Sequence, residues 1–307
     1  HHRLPLPPGE RPRPSRAFCA GLCDEKMRSY SLESYFYAYM VWPVAARGGR
    51  HKLAPVRARL SVLKDSVCPM AASFSLLDMD AMACGLVEAR QWQDWARQPK
   101  WPEAAPLPAT PAIPPMMARR MSPAIRMAVQ LALTLIARWQ PTRLICVSRH
   151  GELQRTFTLL EKLIVAAPLS PTDFSLSVHN TVAGLATIAA QLALPSTSVA
   201  AGIDSFHAGL LEAVATLHSV PGPVLLLGFE GELPSFYSPW IQEQEPAHAV
   251  AMVLGSGEQW RFDGAVQGQG GPGLSQALAF WRGHLLGQHS VLLPSVNGDL
   301  VWSCLPA

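Results

Sequence analysis

The residues best suited to chemistry in this chain lie between His150 and His207. Ser205 is the one hydroxyl in the turn Gly202-Ile203-Asp204-Ser205-Phe206. A serine nucleophile needs a base within hydrogen-bond reach and donors for the developing oxyanion. His207 follows two residues on, and helical neighbours two apart point to different faces, so it is poorly placed to take the Ser205 proton. Asp204 disfavours an anion beside it instead of activating one. No Gly-x-Ser-x-Gly elbow occurs. His150, flanked by Arg149 and Glu152, offers an acid or base at a strand end, although a hydrogen-bonded turn is the simpler reading. His179-Asn180 opens a helix, where a polar pair reads first as a cap. The enzymatic reading these residues leave open is an acyltransferase or hydrolase acting through Ser205 or His179.

The elements that must position these groups follow from composition. A small-residue helix runs over Thr181 to Leu192 and Pro195 ends it. Ser198-Val199-Ala200-Ala201 is an uncharged, buried strand broken at Gly202. Asp204 or Ser205 then caps a buried helix, in which Phe206, Leu210, Leu211 and Val214 recur at helical spacing. Such a helix start offers free N–H groups and a positive dipole end to an anion. Upstream, Phe74-Leu77 is a strand, with Met82 to Leu86 as its turn. Trp92, Trp95 and Trp101 follow in a loop-rich excursion, where packing is preferred to ligand stacking. Pro99 to Pro115 is a proline-rich connector, and Ser122-Pro123 starts a helix that reaches about Trp139. Leu144 to Ser148 is a buried strand that presents Arg149-His150-Gly151-Glu152 at its C-terminal end, before a helix over Leu153 to Val165. Val224 to Gly228 and Ala247 to Leu254 are further strands, with Glu230, Glu232, Pro234 and Tyr237 in the loop between them. Gly268 to Gly273 is read as flexible, Leu274 to Leu286 as a helix and Asp299 to Cys304 as a closing strand.

The chain has 307 residues, 49% of them hydrophobic and 15% charged, which suits a buried α/β core or a partnered surface. Residues 1–70 hold 12 Lys+Arg against 5 Asp+Glu, while the rest hold 13 against 17. The basic, Pro-rich lead reads as disordered or as a spurious upstream extension, not as a nucleic-acid-binding arm. It opens on His1-His2 without a methionine, as a fragment would, and shows no signal peptide. The domain proper is expected over 71–307. Thr181 to Ile203 is uncharged, but Gln191, Pro195 and Ser196-Thr197-Ser198 would sit in mid-membrane, so no membrane span is expected. The six cysteines have neither a disulfide-framework pattern nor zinc spacing, so neither metal nor disulfide is expected, and the thiols suit the cytoplasm. Cys146, within Leu144-Ile145-Cys146-Val147, reads as a core residue.

The blocks Ser148-Arg149-His150-Gly151-Glu152, Leu169-Ser170-Pro171-Thr172, Phe174 to Asn180, Ala183-Gly184, Ala200-Ala201-Gly202 and Gly209-Leu210-Leu211-Glu212-Ala213 carry a resemblance. Together they resemble the N-terminal half of β-ketoacyl synthases, and more closely the chain length factor-like proteins of aryl polyene-type biosynthesis. The likeness spans about Ser73 to Tyr237, with a weaker tail. It implies a thiolase-like half-fold, a mixed central sheet covered by helices, with a buried helix after a strand-turn elbow. A working ketosynthase has a cysteine at that elbow and two histidines in a C-terminal half. Here the turn has no cysteine, and no such histidine motif follows Ala213. The resemblance therefore implies a subunit without condensing activity, paired with an active ketosynthase and reaching an acyl carrier protein through the complex, in fatty acid or polyketide chain elongation without a cofactor. It places the subunit interface at Pro195, Ser196, Thr197, Ser198, Val199 and Ala200. It places Asn180, Ile203, Asp204, Ser205, Phe206 and His207 around the partner's substrate tunnel, with bulky Ile203 and Phe206 setting chain length.

Overall fold

A computed structural model describes residues 72–103, 106–240, 245–268, 273–296 and 298–305. The expected disorder of the lead and the flexibility of the glycine run at 269–272 fall outside the described residues. Among the described residues, seven strands form one mixed sheet: β1 (Ser73–Ala83), β2 (Arg143–Val147), β3 (Ser196–Val199), β4 (Val224–Glu230), β5 (His248–Val266), β6 (Ser290–Ser295) and β7 (Gly298–Cys304). Their order is β3-β2-β4-β5-β7-β6, with β1 antiparallel to β5. β3, β2 and β4 are mutually parallel and the other pairings are antiparallel. The helices are α1 (Ala89–Arg97), α2 (Pro115–Ala118), α3 (Pro123–Trp139), α4 (Leu153–Ile164), α5 (Pro171–Ser175), α6 (Thr181–Ala190), α7 (Ser205–Ser219) and α8 (Gln276–Leu285).

Strand alternation divides the apolar residues between two faces. Ile145, Val147 and Leu226 join a core with Phe206, Leu210 and Val214 of α7, Phe280 and Trp281 of α8 and Trp92 and Trp95 of α1. Leu144, Cys146, Leu225 and Leu227 join the opposite core with α3 and α6. Burial pushes the Cys146 thiol up to about 12, which fits a core residue. Helix α7 crosses the sheet closely: a Cβ on Gly209 would come 2.3 Å from Val147 Cγ1. Helix α3 begins as expected, with Ser122 Oγ accepting the Ile125 N–H.

Several elements differ from the sequence reading. β1 continues through Ala83, so Met82 and Ala83 are paired strand residues and only Cys84-Gly85 turn. The tryptophan excursion contains helix α1, whose Trp92 and Trp95 are buried. β4 extends to Glu230, which is therefore a strand residue and not a loop residue. β5 runs far beyond Leu254 because β1 and β7 keep pairing with it after the apolar run ends. β6 has no counterpart in the sequence reading. β3 occupies Ser196–Val199, with Ala200 and Ala201 beyond it; Ser198 and Ala200, expected in a buried strand, are exposed, as are Ser196 and Thr197. Helix α6 ends at Ala190 and also leaves one side open, with Ile188 64% exposed. Among the described residues, no helix is long and apolar enough to cross a membrane.

Candidate functional site

The parallel strands β2 and β4 end side by side, and a cavity of about 820 Å³ lies beyond their C-terminal ends. This is where α/β sheets characteristically hold ligands. Leu153, Ile203, Phe206, Phe229, Leu233 and Leu274 supply apolar wall, and Ser148, His150, Glu230, Glu245, His248 and Ser275 supply polar groups.

One wall is the turn after β2. Ser148 Oγ donates to Glu230 Oε2 at 3.3 Å and accepts the Gly151 N–H at 2.7 Å. The Arg149 and His150 N–H groups also donate to the Glu230 carboxylate. Gly151 needs its positive φ of 56°, and a Cβ there would sit 3.1 Å from the His179 ring. The turn is thus tied to the last residue of β4. Burial pushes the Glu230 carboxyl up to about 7; the three hydrogen bonds pull the other way and Glu245 adds to the rise. Burial, with the charges of Arg149 and His179, holds the His150 imidazole down at about 4. Glu152 is engaged elsewhere, accepting from Ser122 Oγ at 2.7 Å and pairing with Arg155.

The second wall is the elbow. Gly202 takes φ 61° and starts a 3-10 turn, Gly202–Asp204, that feeds α7. Ser205 Oγ accepts the Ala201 N–H at 2.9 Å and donates to the Gly202 carbonyl at 2.7 Å, so this buried hydroxyl fastens the turn. Asp204 stands at the N-cap position without a capping hydrogen bond from its side chain, and Oδ1 instead accepts Gln276 Nε2 at 2.9 Å. His207 points away from Ser205: its Nδ1 accepts the Trp302 Nε1–H at 3.2 Å, and burial lowers its pKa despite Asp204. Ile203 and Phe206 both line the cavity, Phe206 packing on Phe280 with centroids 6.0 Å apart. His179 and Asn180 are exposed and lie outside the cavity lining; Asn180 holds the N-cap position of α6 without a side-chain hydrogen bond.

The third wall was not legible as a site. Gln276 joins it to the elbow, since Oε1 accepts the His207 N–H and Nε2 donates to Asp204 and to the Pro294 carbonyl. His248, at the start of β5, is 1% exposed; its Nδ1 lies 2.9 Å from the Pro246 carbonyl and its Nε2 3.4 Å from Ser275 Oγ. Glu245 accepts the Ser275 N–H at 2.6 Å, and its Oε2 is 3.7 Å from His248 Nε2. Among the described residues, no group of three or more His, Cys, Asp or Glu is placed to hold a metal ion.

A strand-elbow-helix beside a mixed sheet, with its cavity at the parallel strand ends, defines the N-terminal half of a thiolase-like ketosynthase fold. The β-ketoacyl synthase N-terminal domain matches residues 92–302, and the chain belongs to that family. It is similar to a chain in the structure of a ketosynthase (ApeO) in complex with its chain length factor (ApeC) from Xenorhabdus doucetiae. That match has 35% identity and a TM-score of 0.71, covering 75% of this chain and 99% of that one. More distant likenesses include the ishigamide ketosynthase/chain length factor, at 14% identity and TM-score 0.46 over 60% of this chain and 58% of that one. Another is a β-ketoacyl synthase from Burkholderia phymatum, at 12% identity and TM-score 0.47 over 71% of each chain. No match was found among the curated proteins.

Proposed function

We propose that this chain is a chain length factor-like subunit that pairs with an active ketosynthase in polyketide elongation of the aryl polyene type. The observation that carries this reading is the elbow. Its backbone follows the ketosynthase pattern, yet Gly202 to Phe206 includes no thiol, and none of Cys84, Cys146 and Cys304 lines the cavity. Ketosynthases condense through a cysteine at this turn, so the condensing thiolate is supplied by a partner. The similarity to a chain of a ketosynthase–chain length factor complex agrees with that.

Exposed apolar residues suited to a partner lie on the segments that precede the elbow. Leu160, Leu163, Ile164, Val165, Leu169, Phe174, Val178, Ile188 and Leu192 are all exposed, on the consecutive elements that lead into the exposed strand β3. Apolar surface and an open strand edge together are what a subunit interface covers. The pair would elongate acyl groups held on an acyl carrier protein, with Ile203 and Phe206 bounding the growing chain. The test is co-expression with a cognate ketosynthase, followed by size-exclusion chromatography and an elongation assay. A heterodimer that elongates only when both chains are present is expected, and Phe206→Ala within it should shift the product-length distribution. A monomer that ignores the ketosynthase would sink the partner role, and unchanged product length would sink the role of Phe206.

A further inference from the structure

We propose that Ser275 and His248 form a nucleophile–base pair that cleaves acyl esters or thioesters in the cavity, separate from any condensation. Ser275 stands at the N-cap position of α8, where a serine side chain ordinarily accepts an N–H of the first turn. It makes no such capping bond, and its hydroxyl lies 3.4 Å from His248 Nε2 instead. The first-turn N–H groups of Ala277 and Leu278, which an N-cap serine would cap, are thereby left without that cap at the positive end of a ten-residue helix.

His248 is arranged as a base. Its Nδ1 faces the Pro246 carbonyl at 2.9 Å, an acceptor that requires the ring proton on Nδ1 and leaves the Nε2 lone pair toward Ser275. At 1% exposure the imidazole cannot reorient into solvent. The Glu245 carboxylate, 3.7 Å from Nε2, faces the positive charge the ring acquires when it takes a proton. Glu245 also accepts the Ser275 N–H and so fixes the nucleophile's backbone.

The substrate class follows from the cavity. Leu153, Ile203, Phe206, Phe229, Leu233 and Leu274 accommodate an apolar acyl chain whose carbonyl reaches Ser275 at the rim of α8. Ser275 Oγ attacks that carbonyl while its proton passes to His248 Nε2, and the oxyanion meets the first-turn N–H groups. The intermediate collapses, breaking the bond to the thiol or alcohol, which leaves with the proton from His248. Water then attacks the acyl-Ser275 ester, gives a proton to His248, and the returning proton frees Ser275. The net change is ester or thioester plus water to carboxylic acid plus alcohol or thiol, with no oxidant, metal or cofactor consumed.

The experiment treats the full chain with an alkyl fluorophosphonate, maps the adduct by peptide mass spectrometry, and follows hydrolysis of p-nitrophenyl esters of graded chain length. A single adduct on Ser275 is expected, absent in Ser275→Ala, slowed at least tenfold in His248→Gln and unchanged in Ser219→Ala. Thermal denaturation of each variant separates a lost nucleophile from a lost fold. A folded protein that takes no label, takes it at another residue, or labels equally fast in His248→Gln overturns the proposal. Heterodimer formation with a ketosynthase is read separately, so failure here leaves the partner role standing, and failure there leaves this one standing.

Discussion

Glu230 and His150 face one cavity and are shifted in opposite senses, which gives stability a pH dependence that can be dissected. The Glu230 carboxyl, raised from an ordinary 4.5 to about 7, binds its proton more tightly folded than unfolded. Its contribution is therefore fully present below about 4.5 and is lost as pH rises through about 7. The His150 imidazole is lowered from 6.5 to about 4, so its contribution is present above 6.5 and is lost as pH falls through about 4. The two oppose one another in mildly acidic solution, and above 6.5 Glu230 acts alone of the two. Melting temperatures of wild type and Glu230→Gln measured from pH 6.5 to 8.5 should diverge, the wild type falling relative to the variant. Parallel curves would show that Glu230 does not titrate there. Neither shift was visible in the sequence, where Glu230 read as a loop residue after an apolar strand. The strand's last residue points at the β2 turn only because β2 and β4 pair in parallel, a relation across about 80 residues. His248 and Ser275 were hidden for the same reason: 27 positions separate them, and β5 and α8 bring them together. Ser205 shows the converse. Its residue type suggested a nucleophile, while its hydrogen bonds to Ala201 and Gly202 spend the hydroxyl on the turn.

Among the elements, those whose signal is local were legible and those fixed by distant pairing were not. α3 announces itself through Ser122-Pro123 and an unbroken apolar period, and β2 and β4 through short uncharged runs between turns. The second half of β5 alternates exposed and partly buried positions and becomes a strand through pairing with β1 and β7, which composition does not encode. β3 is the instructive error: a run of small, uncharged residues reads as buried, yet in this chain it is an outer strand of the sheet. The Leu144 N–H donates to the Pro195 carbonyl and the Ser148 N–H to the Val199 carbonyl. With a period of two, Ser196 and Ser198 direct their backbone groups to the open edge. Ser198→Pro therefore removes an outward N–H while sparing the bonds to β2, and proline is tolerated on edge strands. The variant should fold with a melting temperature close to wild type and lose affinity for a ketosynthase partner at least tenfold. Undiminished heterodimer formation would mean that this edge is not the interface.

At the scale of the molecule, one sheet separates two cores, and the same strands serve both. Val250, Met252 and Leu254 of β5 belong to the α7–α8 side, while Ala249, Ala251 and Val253 belong to the α3–α6 side. β2 and β4 divide their residues in the same alternating way. Melting either helical layer would expose one face of strands whose other face is still packed, so neither core can unfold while the other stays intact. Both cores, the cavity and the strand pairing lie within the compact unit Pro69–Ala307. A protein of residues 71–307 should therefore fold without the basic lead and unfold in one transition. The calorimetric and van't Hoff enthalpies should then agree. Under the proposed partner role it should also bind a ketosynthase with the affinity of the full chain, because the exposed apolar residues and β3 are all retained. Two resolved transitions would refute the shared-sheet account. Failure of the shorter chain to fold would make the lead part of the domain and move its boundary upstream of 71.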